Sequence, residues 1–291
     1  MFVSGFTFIR NAVKFDYPIR EAILSLLPLV DELIVLVGNS DDGTRSIIEE
    51  INSPKLKIHD SVWDDSIREG GRVLAVETQK AKNLVNPKAD WLICIQADEC
   101  FHQEDYPAIN KAMQDNLGNS KVDGLLFSYT HFYGDYSLVA SGRKWYKNEI
   151  RIIRNNPDII PYKDSQGFRF KNGQKLKVKR ANARVHHYSW VKSPDKQQDK
   201  QKYFHTLWHN DEWVKKHVGN QSEFDYSKID VLEIFQGTHP DVYKKRVEEY
   251  TVPSGLKPGV HIKQWHKKAL YYLEKVLGKK IGENKNYILL K

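Results

Sequence analysis

From Val3 to Ile95 the chain alternates between strand and helix patterns, and this alternation restricts the fold more than any other feature. Val3 to Ile9 is β-rich. Ile19 to Leu29 carries apolar residues at helical spacing, with Pro18 tolerable in its first turn. Leu33 to Val37 is an unbroken apolar run, the mark of a strand covered on both faces. A helix is predicted over Arg45 to Ile51, a strand over Leu56 to Val62, and a helix over Val73 to Val85, where Val73, Ala81, Leu84 and Val85 share a face. Trp91 to Ile95 is a fourth strand. Such an order predicts an α/β fold, a mostly parallel sheet with helices on both sides. Ligands of such sheets bind beyond the carboxyl ends of the strands, where the polar turn 38–44 and the acidic turn 96–99 fall.

Past residue 120 the pattern changes. Strands are expected over Leu125 to Phe132, Glu149 to Ile153 and Val178 to Tyr188, separated by basic, Gly- and Asn-rich loops. Residues 195–218 read as polar and helical. Ile262, Trp265, Ala269, Leu273 and Val276 follow helical spacing, among Lys263, Lys267, Lys268 and Lys275. Division into 1–120, 121–225 and a helical extension 226–291 follows from these shifts.

Composition removes several classes. With 40% hydrophobic and 28% charged residues among 291, a packed core is affordable and wholesale disorder is not expected. The mean hydropathy of −0.60 and the lack of an apolar run near ~18 residues argue against a membrane-spanning helix. The start MFVSGFTFIRNAVKFD has no basic, then apolar, secretion signal. Cys94 and Cys100 form no C-x-x-C pair, so a disulfide framework or cysteine zinc site is not indicated, and a cytoplasmic, reducing setting fits.

The net charge of +8 conceals a split: −8 over residues 1–139, +12 over 140–218, −3 over 219–239 and +7 over 240–291. No zinc finger, RNP sequence or basic zipper accompanies the basic residues, so no nucleic-acid partner is expected. An acidic half facing a basic half would suit a cleft for a cation and a phosphorylated ligand. Neither G-x-G-x-x-G nor G-x-x-x-x-G-K-[ST] occurs, so dinucleotide and P-loop devices are missing.

Asp98 and Glu99, at the end of a buried strand, offer hard oxygen ligands suited to Mg²⁺ or Mn²⁺, although an ordinary acidic turn looks the same. His186 and His187 would point to opposite faces of a strand. Glu149 and Asp164 are carboxylates that compete for a general-base role. Glu149 would share a strand face with Arg151, where an ion pair is the alternative, and Asp164 lies in a turn before Gly167.

The segment Ala89-Asp90-Trp91-Leu92-Ile93-Cys94-Ile95-Gln96-Ala97-Asp98-Glu99 resembles the strand and metal motif of family 2 glycosyltransferases, A-x-W, an apolar run, then D-A-D-E. Phe8-Ile9-Arg10-Asn11, Val30 to Val35 and Ser40-Asp41-Asp42-Gly43-Thr44 are similar to further blocks in the same order, covering about residues 2–105. Trp145 to Arg154, Tyr162 to Phe168 and His187 to Val191 extend the resemblance, which fades beyond Pro240. It implies a GT-A fold, a nucleotide-sugar-binding half (1–120) joined to an acceptor half (121–225). It also implies an inverting transfer from a nucleoside diphosphate sugar to a hydroxyl of a carbohydrate or lipid-linked acceptor, as in surface polysaccharide or glycolipid synthesis.

By that resemblance Asp98 is the direct ligand of Mn²⁺ or Mg²⁺, and His187 completes the site. Thr7, Arg10, Asn39, Asp41, Asp60, Arg72 and Gln96 are the candidate donor-binding residues, with Arg72, Arg151 or Lys192 placed to neutralise the leaving diphosphate. Two departures stand out. Gln96 replaces the first Asp of the metal motif, and Val37 or Gly38 replaces an Asp that contacts the base, leaving Asn39, Asp41 and Asp60 as substitutes.

Two other classes share such a first half. A nucleotidyltransferase would carry a Gly-rich basic loop after its first strand, which Phe8 to Phe15 is not. A non-catalytic carbohydrate- or partner-binding protein is the reading that Gln96 keeps open. The basic helix at 262–277 either braces its own domain, which would bury Trp265, or contacts an anionic membrane surface from the cytoplasmic side.

Overall fold

The computed structural model describes residues 1–219, 221–251, 253 and 255–291. The first half follows the expected order: β1 (Val3–Ile9), α1 (Ile19–Leu26), β2 (Glu32–Gly38), α2 (Thr44–Glu49), β3 (Leu56–Ser61), α3 (Arg72–Asn83), β4 (Trp91–Cys94). After it come β5 (Glu99–Phe101), α4 (Tyr106–Asp115), β6 (Gly124–Tyr133), β7 (Asp135–Ala140) and β8 (Asn148–Arg154). Next are β9 (Ile159–Tyr162), β10 (Gly167–Phe170), β11 (Leu176–Trp190), α5 (Pro194–Thr206) and α6 (Asp211–His217). The last stretch holds β12 (Val231–Ile234), α7 (Lys244–Glu249), β13 (Gly259–Val260), α8 (Trp265–Leu277) and β14 (Tyr287–Leu289).

The main sheet runs β13-β12-β7-β6-β8-β4-β1-β2-β3. Its β4-β1-β2-β3 portion is parallel, and β8 joins β4 antiparallel. Long β11 pairs parallel with β6 and β14 and antiparallel with β5, which brings His187 opposite Glu99. The C-terminal stretch holds the expected helix and also adds β12, β13 and β14 to the sheet.

Alternation along the central strands explains their continuous apolar character. Val35, Val37, Ile93 and Ile95 pack with Ile19, Ile23 and Leu26 of α1 and with Ile109 and Met113 of α4. Ile34, Leu36, Leu92 and Cys94 turn to the other face, against Ala81 and Val85 on the α3 side and Phe168 of β10. Both faces are therefore covered. Trp91 is fully buried, donates its indole N–H to the Met113 carbonyl at 3.1 Å and lies under the Arg154 guanidinium. No helix among the described residues is long and apolar enough to cross a membrane.

Candidate active site

The parallel strands β1, β2 and β4 end around a small cleft of about 100 Å³ lined by Phe8, Arg10, Tyr17, Trp63, Gln96, Asp98 and, from the α5 side, Tyr203, Phe204 and Leu207. Gly38 explains how Trp63 fits. A Cβ at residue 38 would lie 2.5 Å from the Trp63 indole nitrogen, so the ring occupies the space where the resemblance places an Asp side chain. Phe8 and Trp63 face each other with centroids 5.9 Å apart, and the Arg10 guanidinium lies 5.7 Å from the Trp63 ring while pairing with Asp65 at 2.6 Å. An aromatic slot with a guanidinium beside it suits a flat, anionic ligand such as a nucleotide.

Asp98 and His187 meet as the sequence suggests. The turn after β4 and the far end of β11 set the Asp98 Oδ1 atom 3.8 Å from His187 Nε2. The ring's other nitrogen decides what Nε2 can do. His131 Nε2 is 2.7 Å from the Tyr146 carbonyl, which only accepts, so His131 carries its proton there. Its Nδ1 then accepts from His187 Nδ1–H at 2.9 Å. These partners assign the tautomers and leave His187 Nε2 with a bare lone pair facing a carboxylate oxygen. Burial disfavours the charged form of both rings: it lowers His187 against the pull of Asp98, and it lowers His131 to about 3. A nitrogen and an oxygen lone pair facing each other fit a divalent cation between them.

Glu99 is not available to such an ion. Its carboxylate takes two hydrogen bonds from Arg151, at 2.6 and 2.7 Å, and one each from the Tyr129 hydroxyl and the Gln96 backbone N–H. Arg151 also donates to the Gln166 carbonyl, so the guanidinium that could have met a diphosphate serves this buried clamp instead. Lys192 is likewise engaged, donating to the Phe15 and Asp16 carbonyls at 2.9 Å. Among the described residues no cluster of three or more His, Cys, Asp or Glu converges, so protein donors at the Asp98 site number two.

Lys200 of α5 is the unanticipated member. Its ammonium is buried, 3.3 Å from Asp98 Oδ2, and bonded to the Ser189 carbonyl and hydroxyl at 3.0 and 2.6 Å. Burial, the largest single influence, would raise the Asp98 carboxyl, but Lys200, His187, Lys192 and the Ser189 hydroxyl together outweigh it and hold that carboxyl well below the usual carboxylate range. Burial pulls Lys200 down in turn.

The other candidates scatter. Thr7 is buried with its hydroxyl unpartnered. Asn39 is exposed and accepts from the Trp63 N–H at 3.3 Å, which ties it to the cleft wall. Asp41 is exposed on its turn, Asp60 pairs with Arg45 of α2, and Arg72 stands exposed at the start of α3. Gln96 lines the cleft and donates to the Ser165 carbonyl at 3.3 Å. Asp164 lies beside Gly71 and Trp208, and burial raises its carboxyl.

Glu149 lines a separate cavity of about 290 Å³ with Tyr146, Asn148, Gln166 and the C-terminal stretch. Its Oε1 accepts from Gln166 at 3.0 Å while Oε2 is buried without a partner, and burial pushes the carboxyl up to about 7. Tyr146 stands between the two regions: it lines this cavity, and its ring centroid is 6.4 Å from that of His187. A neighbouring cavity of about 450 Å³, lined by His131, Trp145, Tyr146, Glu233, Tyr271 and Lys280, opens on the same side.

Sequence reasoning missed Trp63, His131, Tyr203 and Lys200. Trp63 had a signal, an aromatic just past the carboxyl end of a strand. A parallel portion is joined through β4 and β8 to a mixed portion of the same sheet. The fold is α/β, a mostly parallel sheet flanked by helices.

No protein-family model matches this sequence, and no curated protein matches it. Among solved structures it is similar to residues 1–349 of S. aureus TarS, at 12% identity over 75% of this chain and 69% of that one, TM-score 0.38. It is also similar to glucosyl-3-phosphoglycerate synthase from Mycobacterium tuberculosis in complex with Mn²⁺, uridine diphosphate and phosphoglyceric acid, at 19% identity over 45% and 43%, TM-score 0.30. A third is 4-diphosphocytidyl-2C-methyl-D-erythritol synthase from Anaerococcus prevotii, at 12% identity over 70% and 94%, TM-score 0.38. Overlaps of this size do not carry chemistry from one chain to another.

Proposed function

We propose that this chain is a divalent-metal-dependent, inverting glycosyltransferase of the hexosyl type. Its donor is a nucleoside diphosphate sugar and its acceptor a hydroxyl of a carbohydrate or lipid-linked molecule, in surface polysaccharide or glycolipid synthesis. One observation carries the reading: Asp98 Oδ1 and a bare His187 Nε2, from separate strands, face each other beside an aromatic cleft at the ends of parallel strands.

Phe8 and Trp63 would form an aromatic wall for the base, and Arg10 would meet the phosphates in exchange for its present partner Asp65. Asp98 and His187 would hold Mn²⁺ or Mg²⁺, which when bound supplies the charge that stabilises the departing diphosphate. Glu149 would take the acceptor's proton: it lines a cavity, its Oε2 is committed to no partner, and its raised carboxyl suits a base near neutral pH. Asp164, nearer the Gln96 side of the cleft, is the second candidate. Donor turnover with Glu149→Gln against Asp164→Asn tests this: the base variant loses about two to four orders of magnitude in rate and keeps donor affinity within a few-fold. Retention of full turnover in both would remove both residues from the role.

The acceptor-side cavity is walled by α8, which supports a station on the cytoplasmic face of an anionic membrane. Tyr271 and Glu274 are the residues α8 buries, whereas Trp265 is 80% and Val276 86% exposed, with Tyr272 and Leu273 bare beside them. Bracing does not require such a face. Lys263, Lys267 and Lys268 are exposed around the start of α8, whereas Lys275 pairs with Glu233 at 2.8 Å, and the only acid of α8, Glu274, is buried against Arg143, so α8 exposes apolar and basic residues together.

A further inference from the structure

The cleft and the helix over it do not match as permanent neighbours. A nucleoside diphosphate sugar needs a pocket of several hundred Å³, and about 100 Å³ is open here. The missing space is filled by Tyr203, Phe204, Leu207 and Trp208, from α5 and the turn after it. Tyr203 stacks on Phe15 at 4.6 Å, and Leu207 and Trp208 pack against Trp63, Val73 and Leu74.

Permanent helices bury apolar faces. The buried residues of α5 are Gln197, Gln198 and Lys200. Gln197 leaves both amide atoms without a partner, as His205 Nδ1 and Trp208 Nε1 are left, and across the contact Trp63 Nε1 is unpartnered too. Buried polar atoms without partners destabilise the state that buries them. Meanwhile Lys200 places a positive charge on the carboxylate that would ligate the metal. An ammonium on Oδ2 and a divalent ion on Oδ1 of one buried carboxylate repel each other, so each weakens the other's hold on Asp98.

We propose that α5 is a displaceable cover and that Lys200 is its latch, holding Asp98 as an internal counter-ion until a divalent cation and the donor take its place. This rests on the donor-site reading above. Lys200 is a positioning residue: it is the buried counter-ion of Asp98 and holds α5 over the cleft. When the cover lifts, the Trp63 indole N–H becomes free to meet the ligand, and the unpartnered groups of α5 reach water.

Hydrogen exchange over residues 194–208, with uridine diphosphate and Mn²⁺ as probes, tests the proposal in the full chain. The cover should lose protection when both probes are bound. Phe204→Ala, which removes bulk without touching Asp98, should tighten nucleotide binding about tenfold, because less of the population is closed. Lys200→Met should speed exchange of 194–208 in the absence of probes and strengthen Mn²⁺ binding, and Lys200→Arg should restore the slow exchange. Nucleotide binding with 194–208 still protected would overturn the cover while leaving the donor site standing. Weaker nucleotide binding in both Phe204→Ala and Lys200→Met would also overturn it, making α5 a permanent wall. If neither wild type nor Phe204→Ala binds nucleotide with Mn²⁺, the donor-site reading itself fails, and the cover with it.

Discussion

His131 and His187 share one hydrogen bond, Nδ1 to Nδ1 at 2.9 Å, deep between β6 and β11. Through it the Tyr146 carbonyl, on the far side of His131, determines which nitrogen of His187 is free for Asp98. The free nitrogen of His187 is therefore set through His131, 56 positions away in sequence.

The first prediction follows from that bond. His131→Phe keeps an aromatic ring in place but removes the acceptor that fixes the His187 tautomer. Mn²⁺ affinity should drop roughly 10–100-fold, as for other outer partners of metal-bound histidines. Nitrogen-15 NMR of the metal-free protein should show His187 losing its single Nδ1–H tautomer. Unchanged affinity and tautomer would remove His131 from this role.

The Glu99–Arg151 clamp is both fully buried and doubly bonded. Arg151→Met should lower unfolding free energy by about 3–5 kcal/mol, since it strands a buried carboxylate. The double replacement Glu99→Gln with Arg151→Met should recover much of that loss. Denaturant titrations of the three proteins decide the point, and equal stability of the single and double variants would contradict it.

Glu149 gives a pH signature. Its folded value, about 7, lies above the roughly 4.3 of an unfolded glutamate, so between those values the folded state binds more protons. Stability should therefore fall as pH rises through that window, and not change from this source below about pH 4. Glu149→Gln does not titrate, so its melting temperature should gain on wild type between pH 5 and 8. Parallel curves would place the carboxyl in an ordinary environment.

Much of the fold could be read from the residues alone, and the reason is local. Leu33 to Val37 and Trp91 to Ile95 are apolar without interruption because α1, α2 and α4 cover one face and α3 with β10 the other. Asp98 was legible as a carboxylate at a strand end. Lys200 was not, because a lysine on the polar helix α5 looks the same solvated or buried. Nor was the His131–His187 contact, which depends on β6 pairing with β11 and has no local pattern. Trp265 shows the remaining limit: apolar spacing on a helix reads alike whether another element covers it or none does.

That exposed face yields a prediction of its own. The protein should sediment with vesicles containing anionic lipid at low salt and be released as salt shortens the Debye length below about 8–10 Å. Trp265→Ser with Val276→Ser should weaken vesicle binding while leaving activity on a soluble acceptor unchanged. If the protein does not sediment at low salt, α8 is only a wall of the acceptor-side cavity.

The account stands most directly on whether Asp98 links a divalent ion to nucleotide binding. Calorimetric titration of uridine diphosphate into wild type and Asp98→Asn, each with and without Mn²⁺, measures this. Wild type should bind at least tenfold more tightly with Mn²⁺, and Asp98→Asn, folded by circular dichroism, should lose that enhancement. Mn²⁺-enhanced binding of equal strength in both proteins would contradict the assignment of Asp98 and the site built around it.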